Sequence, residues 1–117
     1  MASLSAACRQ DLEAIAVPRH ASWDPVGLMS VRSYVRAELA TLGDVQEHHF
    51  KRGSHEGVNL ILKLPGRNPR QRPLLVGAHY DGPIQSIGAD DNASGVAALL
   101  EPVSYTHLTL PTMAIVV

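Results

Sequence analysis

The chain has 117 residues, 45% of them hydrophobic and 18% charged, which suits one soluble domain with a modest core and excludes a disordered polymer. Its formal net charge of −1 argues against nucleic acid or an anionic membrane as the main partner, and the lone Cys8 excludes an intrachain disulfide. Met1 to Cys8 lacks a basic start and a sustained apolar run, and no window nears the roughly 18 apolar residues of a membrane span, so a cytoplasmic protein without a membrane partner is expected.

Leu4 to Val17 is predicted as a helix, with Leu12, Ile15 and Ala16 on one side and Pro18 just beyond its end. A stronger helix is predicted from about Pro25 to Leu42. Asp24 suits the N-cap, Pro25 the first helical position, and Gly43 follows the last turn. Leu28, Val31, Val35, Leu39 and Leu42 recur at steps of three and four, which makes one apolar stripe. Val45 to Phe50 reads as a short strand, with the adjacent His48 and His49 on opposite faces. Val58 to Leu64 is a clearer one, because Val58, Leu60, Leu62 and Leu64 alternate onto a single face. Pro65 to Arg72 is a loop, and Lys63, Arg67, Arg70 and Arg72 form a solvated basic cluster there. The continuous apolar run Leu74 to Ala78 predicts a strand covered on both faces. A loop from Tyr80 to Asp90 follows, then a helix from Asn92 to about Glu101. Helices alternating with strands point to an α/β layered sheet.

In open α/β sheets ligands collect at the carboxyl ends of strands, and His79 stands directly after the apolar run. A neutral imidazole there can give zinc a nitrogen ligand. Asp81, two residues on, points to the same side if the chain stays extended. Its carboxylate can take the other ring N–H and make the metal-binding nitrogen more basic. A second stretch, Gly88-Ala89-Asp90-Asp91-Asn92-Ala93-Ser94-Gly95, places two successive carboxylates where a loop enters a helix. Helix N-termini attract carboxylates, which accounts for one aspartate as a cap but not for both. The small residues Ala93, Ser94 and Gly95 suit close backbone approach.

These residues, His79 to Leu100, resemble the metal-binding core of the co-catalytic zinc aminopeptidases. Asn59-Leu60-Ile61-Leu62, Leu64-Pro65-Gly66 and Pro73 to Ala78 are similar to that family's lead-in. The family includes bacterial leucyl-type aminopeptidases, with glutaminyl cyclases and glutamate carboxypeptidases as relatives. The resemblance implies an incomplete three-layer α/β/α fold with a mostly parallel central sheet, truncated after the first metal-ligand motifs. It implies that His79 binds one zinc and that Asp91 bridges two zincs, with a cis peptide bond between Asp91 and Asn92. Asp81 would be the partner of His79, and Asp90 would belong to loop structure. The implied reaction is hydrolysis of N-terminal peptide bonds of a peptide substrate by a metal-activated water. A glutaminyl cyclase-like or deacylating amidohydrolase site, or a non-catalytic chain, are the alternatives. Gly82 stands where Ser or Thr is common and Ile87 where Pro often precedes the glycine; neither departure removes a ligand.

The family takes its remaining ligands from later segments: a Glu-Glu pair that includes the general base, then an acidic ligand and a His. After Asp91 this chain offers only Glu101 and His107. The 117 residues alone are therefore expected to be inactive. His20, His48, His49 and His55 precede the motif and are expected at surface or helix-flanking positions. The ending looks foreign, because Pro102 interrupts a helix that should continue. Val103 to Thr112 back-translates as gtc tct tat aca cat ctg acg ctg ccg acg, one reading frame of a transposase adapter used to prepare sequencing libraries. Residues 1–101 are thus expected to be part of a zinc peptidase domain, and residues 102–117 a non-native, adapter-derived tail.

Overall fold

The computed structural model describes residues 2–68, 70–106 and 113–117, so His107 and the rest of 107–112 in the expected tail lie outside the described residues. The first helix, α1, spans Ala2–Ile15, and α2 spans Pro25–Ala40. α1 stops short of the predicted Val17 because the ring of Pro18 disfavours helical backbone at the residue before it. α2 keeps its stripe: Leu28, Val31, Val35 and Leu39 are buried, and Leu42, in the turn beyond, packs partly buried against them. Asp24 precedes Pro25 as predicted, yet its carboxylate makes no cap hydrogen bond. It accepts the His20 N–H at 3.3 Å instead and so holds the preceding loop.

Strands β1 (Val45–Arg52) and β2 (His55–Leu64) form an antiparallel hairpin that runs past the predicted ends down to the Arg52–His55 pair. Gly53 makes its turn at φ 63°, a left-handed conformation that glycine adopts without a Cβ penalty. Strand β3 spans Leu74–Gly77, helix α3 Ser94–Thr106 and strand β4 Met113–Val116. The sheet order is β1-β2-β4-β3, with β4 antiparallel to β2 and parallel to β3.

The α/β class is as expected, but the sheet is mixed rather than mostly parallel. Among the described residues only β3 and β4 keep the parallel pairing, joined by the helical crossover through α3 that such neighbours need. α3 also continues past Pro102 to Thr106. Proline there removes one amide donor, and that single loss does not terminate the helix.

Buried residues from all three helices, Ile15, Leu39 and Val96 among them, form one cluster with Val58, Leu60, Leu62 and Leu64 on a single face of β2. The other face of β2, with Asn59, Ile61 and Lys63, is partly or fully exposed, so among the described residues the helices cover one side of the sheet. On β3, Leu74 is 46% and Leu75 68% exposed, which overturns the expectation of a strand covered on both faces. β3 lies at the end of the strand order, where no further described strand flanks it.

Between α1 and α2 the Tyr34 hydroxyl donates to the buried Asp11 carboxylate at 2.6 Å. Burial, and then the hydrogen bond to Asp11, push the Tyr34 phenol well above its ordinary pKa. One turn along α2, burial first and the Asp11 charge second raise the Glu38 carboxyl above its usual range. A carboxyl whose pKa rises on folding supports the fold while protonated and opposes it once ionised. Glu38→Gln is therefore expected to raise the melting temperature at about pH 7, above the ordinary carboxylate range, and to leave it unchanged at about pH 3, below it. Thermal melts at the two pH values check this; a lower melting temperature at the higher pH would refute it.

Candidate metal centre

β3 ends at Gly77 and His79 follows at its carboxyl end. The intervening pattern is set by Tyr80, which is buried while His79 and Asp81 are exposed on either side of it. The Tyr80 hydroxyl donates to Val58 O on β2 and accepts from Arg32 Nε at 3.0 Å, so this segment is anchored at its middle residue. Burial lifts the Tyr80 phenol above its ordinary pKa, against the opposing hydrogen bond and charge of Arg32.

His79 Nδ1 lies 3.0 Å from Asp81 Oδ1. A carboxylate only accepts, so the proton belongs on Nδ1, and in the neutral ring Nε2 keeps a lone pair. That Nε2 faces Asp91 Oδ1 at 3.4 Å. In a protonated ring this contact is an ion pair; in the neutral ring two acceptors are turned toward each other and need a cation between them. Zinc takes nitrogen and carboxylate ligands at about 2.0–2.2 Å in tetrahedral geometry, which sets neighbouring ligand atoms about 3.4 Å apart. The pair fits that ion in donor type and in spacing.

Asp91 sits in an irregular turn, Ala89–Ala93, that feeds α3. The backbone is non-helical at Asp91 (φ −124°, ψ 82°) and Asn92 (φ −135°, ψ 36°), so α3 begins at Ser94 rather than at the predicted Asn92. The peptide bond between Asp91 and Asn92 is cis, as the resemblance implied. A Cβ at Gly95 would lie 2.2 Å from Asn92 Oδ1, which accounts for the small residue there. Asp90 is exposed in the same turn.

The side chains of His79, Asp81 and Asp91 are 56%, 58% and 70% exposed. A cavity of about 530 Å³ opens beside His79 and Asp81, walled in part by Arg32, Phe50 and Tyr80. Among the described residues no group of three or more His, Cys, Asp or Glu side chains converges as a metal ion would require. The other described histidines have different neighbours. His20 Nδ1 accepts the N–H groups of Ser22 and Trp23 at 3.1 and 3.3 Å. His48 Nδ1 meets Asn59 Nδ2 at 3.2 Å, His49 Nε2 meets Glu47 at 3.5 Å, and His55 lies beside Ser22 Oγ.

Arg19 is the residue that sequence reasoning misses. It is 0% exposed. Its Nε donates to Tyr80 O at 2.7 Å, Nη1 to Val17 O at 3.0 Å and to Ile87 O, and Nη2 to Gly88 O at 3.0 Å. Burial lowers its pKa, opposed by the charges of Asp81 and then Asp91. No periodicity marks this position, since it stands in the loop between α1 and α2 beside Pro18.

The family model of peptidase family M28 matches residues 59–117. A vacuolar membrane protease of Schizosaccharomyces japonicus is 41% identical over 54 residues, which are 46% of this chain and 6% of that protein. A glutaminyl cyclase from an Acidobacteriales bacterium superposes with a TM-score of 0.76 at 20% identity, over 97% of this chain and 42% of the other. A leucine aminopeptidase precursor from Bacteroides thetaiotaomicron does so with 0.73 at 19% identity, over 98% and 45%. These likenesses show the fold, and the chain spans less than half the length of each of these proteins. The cytoplasmic expectation is overturned, because the curated relatives are vacuolar membrane proteases. The same name leaves the expectation of no membrane partner without support. Among the described residues no helix is long and apolar enough to cross a membrane, and that speaks only for those residues.

Proposed function

The chain belongs to peptidase family M28, and on that premise we propose that it carries part of the metal site of a zinc-dependent aminopeptidase. The 3.4 Å approach of His79 Nε2 to Asp91 Oδ1 carries this reading. His79 and Asp91 would hold the metal in it, His79 through its imidazole and Asp91 through its carboxylate. Asp81 holds the Nδ1 proton of His79, which keeps the ring in the tautomer that can bind metal and makes Nε2 a better donor. Zinc in such a site polarises a scissile carbonyl and makes water acidic enough to act as a nucleophile at neutral pH. The exposure of the pair leaves a peptide room to approach. A general base and further ligands are not found among the described residues, so the 117-residue chain by itself is proposed to lack peptidase activity. Residues 102–117 are proposed to be adapter-derived; an uninterrupted native frame in the source gene through Thr112 would reject that.

A zinc titration of the chain by calorimetry tests the ligand assignment. Weak binding is expected for the wild type, none for His79→Ala or Asp91→Ala, and about 10- to 100-fold weaker binding for Asp81→Asn. Equal affinity in the wild type and the two ligand variants would remove the basis for the metal site.

A further inference from the structure

We infer that Arg19 is a positioning residue that clamps the turn bearing His79 and Asp81 to the turn leading into Asp91. The inference rests on the proposed metal site only for its consequence; the clamp itself is a matter of geometry. The guanidinium reaches Tyr80 O, the carbonyl between the two groups of the His-x-Asp pair, from 61 residues away. It reaches Gly88 O from 69 residues away, and Gly88 O also accepts the N–H of Ala93 at 3.0 Å. One carbonyl thus joins Arg19 to both ends of the turn that carries Asp91. From the other side, Gly82 N–H donates to Arg19 O at 3.3 Å.

A buried cation is costly unless its donors are satisfied, and carbonyl dipoles do that here where no described carboxylate is within salt-bridge distance. The planar fork sends its donors to separate carbonyls in fixed directions, which a lysine ammonium cannot do. The two loops are moulded around it. A Cβ on Gly82 would lie 3.0 Å from Arg19 Cγ and 3.3 Å from its Cζ. At Gly88, where φ is +57°, a Cβ would lie 3.1 Å from Arg19 Nη2 and 2.6 Å from Asp91 O. Gly82, which stands where the family often has Ser or Thr, is thereby explained: the space above it is filled by the Arg19 stem. The separation of His79 from Asp91 is set by loops that meet at one side chain.

The test reads the His79 ring directly, by nitrogen NMR of the imidazole in the metal-free chain, together with zinc calorimetry. The wild type is expected to show one tautomer protonated on Nδ1. Arg19→Lys is expected to show mixed tautomers and about tenfold weaker zinc binding or worse, with unchanged far-UV circular dichroism. Methylguanidinium added to Arg19→Ala should restore the single tautomer, which a loss of packing alone would not permit. Gly82→Ala, which crowds the clamp and leaves the charge in place, should move both readouts the same way. A wild-type tautomer and zinc affinity in Arg19→Lys would overturn the inference. Should that variant not fold, wild-type readouts in Gly82→Ala would overturn it equally. Zinc binding that survives His79→Ala and Asp91→Ala would sink the metal site alone, because the tautomer measurement still judges the clamp.

Discussion

If the proposed zinc peptidase reading holds, Asp91→Ala in any active form of the enzyme that contains this chain is expected to lower peptide hydrolysis about a thousandfold or more. In the proposed site Asp91 is one of the residues that would hold the metal, and without its charge the metal would be held weakly or not at all. The Lewis-acid stabilisation that zinc would supply to the transition state amounts to several kcal/mol, and each 1.4 kcal/mol or so is tenfold in rate. Asp81→Asn should be milder, because His79 keeps its place in the fold and loses only the charged, acceptor-only partner that fixes its tautomer, an amide being able to donate as well as accept. Release of nitroaniline from aminoacyl-nitroanilides measures the effect, and ammonia release from a glutaminyl peptide separates peptidase from cyclase chemistry. Full activity in Asp91→Ala would end the metal-ligand assignment. Turnover by the 117 residues alone, abolished by the same change, would show that the site is complete within them.

The parts of this molecule legible in the sequence are those with a short-range cause. The α2 stripe and the alternation in β2 are periodic, and both bury the residues that periodicity selects. The pairing of His79 with Asp81 joins residues two apart in sequence and is present at 3.0 Å. What escapes the sequence depends on neighbours far along the chain. Leu74 and Leu75 read as core because they are apolar, yet coverage of a strand is decided by what packs on it, and here little does. The Asp24 cap fails for a local reason, since its carboxylate accepts from the His20 amide four residues earlier instead.

Arg19 is the sharpest case. Charged residues in loops are mostly solvated, so a fully buried guanidinium is the less expected outcome at such a position. Its partners are main-chain carbonyls, which carry no side-chain signature that a sequence could display. The glycines that make room for it, Gly82 and Gly88, are visible, but they read as ordinary loop punctuation until the arginine is seen between them.

Leu60→Ala is expected to cost about 2–5 kcal/mol, the range for a buried leucine cut back to alanine. Leu60 is 0% exposed in the middle of β2. It pairs there with Glu47 of β1 and exchanges both backbone hydrogen bonds with Val117 at 2.9 Å, so the surrounding ladder is held on two sides and cannot readily close on the void. Small domains have only about 5–15 kcal/mol to lose, and a sheet with one open face belongs at the low end of that range. The variant should therefore be partly unfolded in buffer. Leu75→Ala, at a side chain 68% exposed, should fall within about 0.5 kcal/mol of the wild type. Urea denaturation followed by circular dichroism gives both midpoints on one scale. Equal midpoints for the two variants would mean that the helices do not pack on the Leu60 face of β2, and with that the support beneath the His79 turn would be gone, because Tyr80 reaches Val58 O from the same cluster.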